Sequence, residues 1–247
     1  HLNGAPVKLR GINHHDIYPV GGRVAGEAEI RRDLELMRAA NINFVRTAHY
    51  PPHARLIELC DELGFYVMCE VPFAYGGRHL QDPTYEPILR QRARATVLRD
   101  KNNPSVIVWS VGNEHDITEL GVRTARYVSE LDPTRPLCLP TVGYEFEREI
   151  NRHLALPEYV GIFAPHYPTH RQIRRYAEVL PRPIIFTEYA HAMGLAMDRL
   201  QDQWELMQAS PRIAGGALWV FQDQGILRAA DRPVDLSAPT SHAWRDA

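Results

Sequence analysis

The chain has 247 residues, 45% of them apolar and 23% charged, and its 28 basic against 30 acidic side chains leave a formal net charge of −2. That composition excludes a disordered or collagen-like chain, and the balanced charge lacks the basic excess that nucleic-acid or anionic-membrane partners leave on a sequence. The longest apolar stretches, such as residues 106–109, are far too short to span a bilayer.

Asn3-Gly4 is a tight-hairpin signal whose leading strand needs more than the two residues that precede it, so the sequence reads as a fragment cut at its start. Beyond it, short β-branched or aromatic runs alternate with amphipathic ones, the pattern of a parallel sheet wrapped by helices. A strand at 8–13 is followed by a helix at 27–40, where Ile30, Leu34, Met37 and Ala40 recur at steps of three and four. A strand at 44–47 leads to a helix at 52–63 that Gly64 stops, and a strand at 66–70 leads to a helix at 84–100. The same alternation gives strand 106–111 with helix 118–131, strand 137–141 with helix 146–154, and strand 159–164 with helix 171–180. Strand 184–187 comes before a helix at 196–209, and a final strand at 216–220 has none, because the tail 226–247, with Pro233 and Pro239, reads as loop.

Eight strands in about 250 residues predict an α/β chain folded as one (β/α)8 TIM barrel over 1–247, lacking its final helix. No G-x-G-x-x-G follows a strand, which argues against an open doubly wound sheet. Cys60, Cys69 and Cys138 are widely spaced and form no C-x-x-C. They are expected to be buried thiols in a reducing, cytoplasmic setting.

In such a barrel chemistry belongs at the carboxyl ends of the strands, which converge on one face. Those ends are polar here. Asn13-His14-His15-Asp16 follows the first strand, Arg46 and His49-Tyr50 the second, and Glu70 ends the third. Asn113-Glu114-His115 follows the fourth, His166-Tyr167 the sixth and Glu188-Tyr189 the seventh, with Trp219 late in the eighth. Glu114 and Glu188 therefore face each other across the mouth. Two such carboxylates can flank a glycosidic bond, one protonating the leaving oxygen while the other attacks the anomeric carbon or activates water.

These segments also resemble a family. Asn113-Glu114 after Trp109-Ser110-Val111-Gly112, and Thr187-Glu188-Tyr189-Ala190-His191-Ala192-Met193-Gly194, are similar to the acid/base and nucleophile motifs of glycoside hydrolase family 2. Leu9-Arg10-Gly11-Ile12-Asn13-His14-His15-Asp16 and Val45-Arg46-Thr47-Ala48-His49-Tyr50-Pro51 extend the match across the barrel. The resemblance implies a retaining exo-β-glycosidase with Glu114 as general acid/base and Glu188 as nucleophile, the latter held ionised by donors such as Arg46 and Tyr167. It implies Asn113 on the sugar 2-hydroxyl, His15, His49 and His191 on other hydroxyls, and Trp219 as the floor of the subsite. The segment 188–194 is most like that of the β-galactosidases, with β-glucuronidase and β-mannosidase as alternatives, although Leu195 stands where the large β-galactosidases often carry Asn.

Magnesium-dependent members carry a Glu and a His after the third strand. Here Ala74 and Gly76 stand there instead, so no metal and no cofactor is expected, and Asn113 and His115 are expected to tune Glu114. Glu70 aligns with a barrel-lining acid. The implied partners are a carbohydrate substrate, additional β-domains of a parent chain and a homo-oligomer, with no nucleic acid and no membrane. Two readings compete. A metal-dependent barrel hydrolase would use the histidines, but His14 and His15 are adjacent and point to opposite faces. A non-catalytic carbohydrate-binding barrel would have no reason to keep both glutamates.

Overall fold

The computed structural model describes residues 1–74, 79–142, 146–194 and 199–226. Eight parallel strands run in sequence order and close into a barrel, β1 (Leu9–His14), β2 (Phe44–Thr47), β3 (Tyr66–Ala74), β4 (Val106–Asn113), β5 (Leu137–Val142), β6 (Ile162–His166), β7 (Ile184–Tyr189) and β8 (Ile213–Leu218). Between them lie α1 (Glu27–Ala39), α2 (Ala54–Leu63), α3 (Glu86–Asp100), α4 (Glu119–Leu131), α5 (Phe146–Leu154), α6 (His170–Val179) and α7 (Leu200–Ala209). This is the predicted TIM barrel. The tail expected as loop falls on 227–247, outside the described residues, as does the expected start of α7 within 195–198.

Strand residues alternate between two environments because successive side chains point to opposite faces. Val67, Cys69 and Val71 of β3, and Val106, Trp109 and Val111 of β4, belong to the core between sheet and helices. Leu9, Phe44, Met68, Val108, Cys138, Ile162, Ile185 and Ala217 fill the inside of the barrel. One inward position further along, the character changes: Phe44 gives way to Arg46, Met68 to Glu70 and Val108 to Ser110, all fully buried. The barrel thus has an apolar floor and a polar layer above it, set by the same period of two.

Local signals explain the connections. Gly64 takes the left-handed conformation at the end of α2, while His53 caps its start, accepting from Arg55 N. Asn3-Gly4 does make a tight turn, with Leu2 and Ala5 bridged antiparallel. His14 leaves the barrel for Asp33 (3.1 Å) and Asp16 (3.4 Å) and so ties the β1 loop to α1. Burial works against its charge, but the two carboxylates outweigh that and raise its pKa. All three cysteines are buried and free, and among the described residues no helix is long and apolar enough to cross a membrane.

The expected strand ends required correction. β3, β4 and β7 run on through Ala74, Asn113 and Tyr189, where Ala74 pairs with Asn113 and Tyr189 with Leu218. β8 shifts towards its start, from 216–220 to Ile213–Leu218, which leaves Trp219 just beyond the strand. The reason is Gly215, paired with Leu9 across the seam where the barrel closes. At its φ of +141°, a Cβ would lie 2.1 Å from the Leu9 carbonyl oxygen, so only glycine lets the two backbones approach.

Gly215→Ala is accordingly expected to lower the unfolding free energy by about 3 kcal/mol, a backbone clash with no flexible neighbour to yield. Gly194→Ala, at φ +60° with open space around it, should cost no more than about 1–2 kcal/mol of left-handed strain. Urea denaturation of the two variants measures the difference, and equal midpoints would contradict the seam argument.

Candidate active site

The polar layer is organised around one guanidinium. Arg46 lies next to the end of β2 with no solvent exposure. Its Nε and Nη2 donate to Glu70 Oε2 at 3.0 and 2.6 Å, Nη2 also donates to Asn113 Oδ1 at 2.6 Å, and Nη1 donates to Asn13 Oδ1 at 2.9 Å and Glu188 Oε1 at 2.8 Å. Burial opposes the charge, but Glu70 and Glu188 on either side raise the pKa of Arg46 further. Arg46 is enclosed, and its hydrogen bonds go to Glu188 and Asn113 as well as to Glu70 and Asn13.

Glu188 is the penultimate residue of β7 and is itself buried. Besides Arg46 it accepts from the Tyr167 hydroxyl at Oε2, 2.5 Å away. Burial raises its pKa, yet the charges of His166 and Arg46 and the two hydrogen bonds prevail and bring it down to about 2. Glu188 is therefore a carboxylate at any physiological pH. Tyr167 is at the mouth and its hydroxyl is pushed upward by burial and by Glu188, so it stays a donor.

Glu114 follows Asn113 at the end of β4 in a left-handed backbone conformation, φ 45°, which swings its side chain towards β6. There it meets His166, with Nδ1 at 3.0 Å from Glu114 Oε1. His115 plays no such part. Its ring nitrogens face the carbonyls of Asp116 and Val111, since consecutive residues cannot share a direction, and His166 takes the place expected of it.

The remaining candidates line one side. His49 bonds Glu70 Oε1 at 2.9 Å and stacks on Trp219, with centroids 5.2 Å apart. His15 meets both rings edge-on and bonds the Tyr50 hydroxyl at 3.2 Å. Burial first, then His49, His14 and Arg46, depress His15 to about 4, so it is a neutral imidazole able to donate or accept. Trp219 Nε1 lies 3.3 Å from Met193 Sδ. His191 is exposed at the rim, beside the Tyr167 ring at 5.9 Å. Asn113, whose Oδ1 is fixed on Arg46, has a buried Nδ2 with no protein partner, a donor state that is rare unless a ligand completes it.

Among the described residues, Glu114, His166 and Glu188 form the one group of three ligating side chains whose atoms lie within 4.8 Å of one another. It does not fit a hard cation: magnesium wants near-octahedral oxygen, and both Glu188 oxygens are already bonded to Arg46 and Tyr167. Glu70 is consumed by Arg46, His49 and Ser110, and Asp16 by His14 and the His53 amide. Gly76 lies outside the described residues.

The sequence is matched over residues 1–238 by the model of the glycosyl hydrolases family 2 TIM barrel domain. A β-galactosidase of Vibrio cholerae serotype O1 is 39% identical over 237 residues, covering 91% of this chain and 23% of the relative. One from Lactococcus lactis subsp. lactis is 33% identical over 240 residues, 92% of this chain and 24% of the relative. The chain thus spans about a quarter of the curated relatives it matches. In fold it is similar to a β-galacturonidase of Eisenbergiella tayi (TM-score 0.76, 20% identity, 88% of this chain and 44% of that one). A β-glucuronidase of Bacteroides uniformis is comparable, with TM-score 0.74 and 23% identity over 88% of this chain and 31% of that one.

The depressed pKa of Glu188 has a stability signature. A carboxylate at about 2 when folded and 4.5 when unfolded contributes stability that is complete above the unfolded value and lost as pH falls towards the folded one. The gap in unfolding free energy between the parent and Glu188→Gln should therefore be largest above pH 4.5 and narrow towards pH 2. Denaturant titrations across that range measure it, and a gap independent of pH would contradict the assignment.

Proposed function

This chain belongs to glycosyl hydrolase family 2, and on that premise we propose that it is the catalytic barrel of a retaining exo-β-glycosidase, specifically a β-galactosidase. One observation carries the reading. Two carboxylates from opposite sides of the barrel come together, with ligating atoms within 4.8 Å, and only one is locked as an anion by a buried arginine. Retaining enzymes hold their carboxyl groups about 5–5.5 Å apart, whereas inverting ones leave roughly 6.5–9.5 Å for a water.

In this mechanism Glu188 attacks the anomeric carbon while Glu114 gives its proton to the departing oxygen. The glycosyl-enzyme ester that results is hydrolysed by a water that Glu114 deprotonates, restoring both groups. Arg46, Tyr167 and His166 keep Glu188 ionised and aimed. Asn113 Nδ2 supplies a donor for the 2-hydroxyl. His15, His49 and His191 hold further hydroxyls over the Trp219 ring. The β-galactosidase choice is supported by the 33–39% identity to relatives of that name and by the segment from Glu188 to Gly194. The parent protein, in this proposal, is cytoplasmic and carries further β-domains that complete the substrate contacts.

Aryl β-galactosides, β-glucuronides and β-mannosides assayed side by side test the sugar, and NMR of the first-formed anomer tests retention. Glu188→Gln should abolish labelling by a 2-fluoro glycoside. Glu114→Gly should regain turnover of an activated substrate with azide, giving the β-glycosyl azide, because azide needs no general base. A β-azide from rescue at Glu188 together with an α-azide from Glu114→Gly would exchange the two roles. Exhaustive dialysis against a chelator should leave activity intact, and a large loss restored by magnesium would show a cation site that these side chains do not provide.

A further inference from the structure

His166 lies at the centre of this site and touches both carboxylates. It ends β6 beside Glu188 in the β6–β7 register and is almost fully buried. Nδ1 faces Glu114 Oε1 at 3.0 Å and Glu188 Oε2 at 3.5 Å, and Nε2 faces the Thr187 hydroxyl at 2.7 Å. The charged and titratable groups around the ring are therefore Glu114 from the β4 end, Glu188 from β7, Tyr167 next to it and, through Glu188, Arg46 from β2 and His49. Across the β5 side its register partner is Val142, which carries no charge.

The partners place a hydrogen on Nδ1. A bare lone pair there would point at the ionised Glu188, 3.5 Å away, which is repulsive. Nε2 meets a hydroxyl, which can donate to it or accept from it. Thr187 is buried and its hydroxyl has this ring nitrogen as its hydrogen-bond partner.

We propose that His166 is a positioning residue for the general acid/base, fixed by Thr187 as an Nδ1–H donor to Glu114. The inference rests on the glycosidase reading and extends it. With Oε1 occupied by the imidazole, the Glu114 proton is carried on Oε2, the oxygen left free for the leaving group. As the glycosidic C–O bond breaks, its electron pair stays on the leaving oxygen, which takes that proton. The charge created on Glu114 is met by a donor already in place. His166 itself gains and loses nothing, and the proton returns to Glu114 from the attacking water in the second step.

A donor to the ionised form holds a carboxyl pKa down, so removing it raises that pKa. In the protein that carries this chain, His166→Phe should move the alkaline limb of kcat/KM to higher pH. It should also slow a phenyl β-galactoside, which needs acid assistance, by ~10- to 100-fold. A 2,4-dinitrophenyl galactoside, whose leaving group needs little proton, should suffer much less. His166→Asn places an amide N–H near the position of Nδ1 and should recover most of the loss, while Thr187→Val, which releases the tautomer but keeps the ring, should fall between.

Equal losses on both substrates, or a limb that stays put in every variant, would overturn the proposal and leave His166 a packing residue. The parent enzyme separates the two levels of argument. If it turns over the dinitrophenyl galactoside and is labelled by a 2-fluoro galactoside, a negative result counts against His166 alone. If it does neither, the glycosidase reading fails first. Should His166→Phe not fold, the Asn and Val variants carry the same two readouts.

Discussion

A single buried guanidinium is the constraint from which the rest of the mouth follows. Desolvating an arginine is expensive unless every donor finds an acceptor, and Arg46 meets the demand with groups from β1, β3, β4 and β7. Asn13, Glu70, Asn113 and Glu188 are thereby drawn to fixed distances. Because the fork of donors is planar and rigid, the acceptors cannot drift independently, and a lysine in its place would hold one or two of them.

The charge arithmetic of that cluster has chemical meaning. Glu70 and Glu188 flank one cation, so Glu188 is an anion even though it is nearly removed from water. Glu114 is excluded from the arginine's reach and faces an imidazole instead. Two carboxylates of the same kind, a few ångströms apart, thus receive different sets of partners. His15, kept neutral by burial first and then by its positive neighbours, offers ring nitrogens that can donate or accept a hydrogen bond.

Much of this was legible in the sequence, and what was not has identifiable causes. The eight strands announce themselves because β-branched runs between amphipathic stripes have few other uses, and Gly64 ends α2 as its position implies. Strand ends were harder: Asn113 looks like a loop residue in a sequence but sits in a ladder, because at the mouth inward-facing means polar, while Tyr189 packs on the other face, in the core between sheet and helices. Gly215 and Gly216 weaken a strand signal on paper while making the seam possible. Glu114 and Glu188 could be found from their positions after the fourth and seventh strands. His166 could not be assigned that way, since its role depends on a contact 52 residues distant in sequence, whereas His115 was credited for adjacency that the backbone turns outward.

The β1–β8 seam also dictates when the site comes into being. Lys8 donates to the carbonyls of Met207, Ser210 and Ile213, and Asn13 Nδ2 reaches the carbonyls of Thr187, Ala217 and Leu218, contacts spanning 174 to 205 residues. Closing so long a loop is entropically slow and is repaid only after the intervening units have formed. An open arc of β1 to β7 would already contain Glu114, His166 and Glu188, yet Asn13 would lack its anchors on β8 and the Trp219 platform would be missing. β8 is therefore the element that gives Asn13 its anchors and carries the chain on to Trp219, and a barrel caught half-assembled holds its paired carboxylates without either.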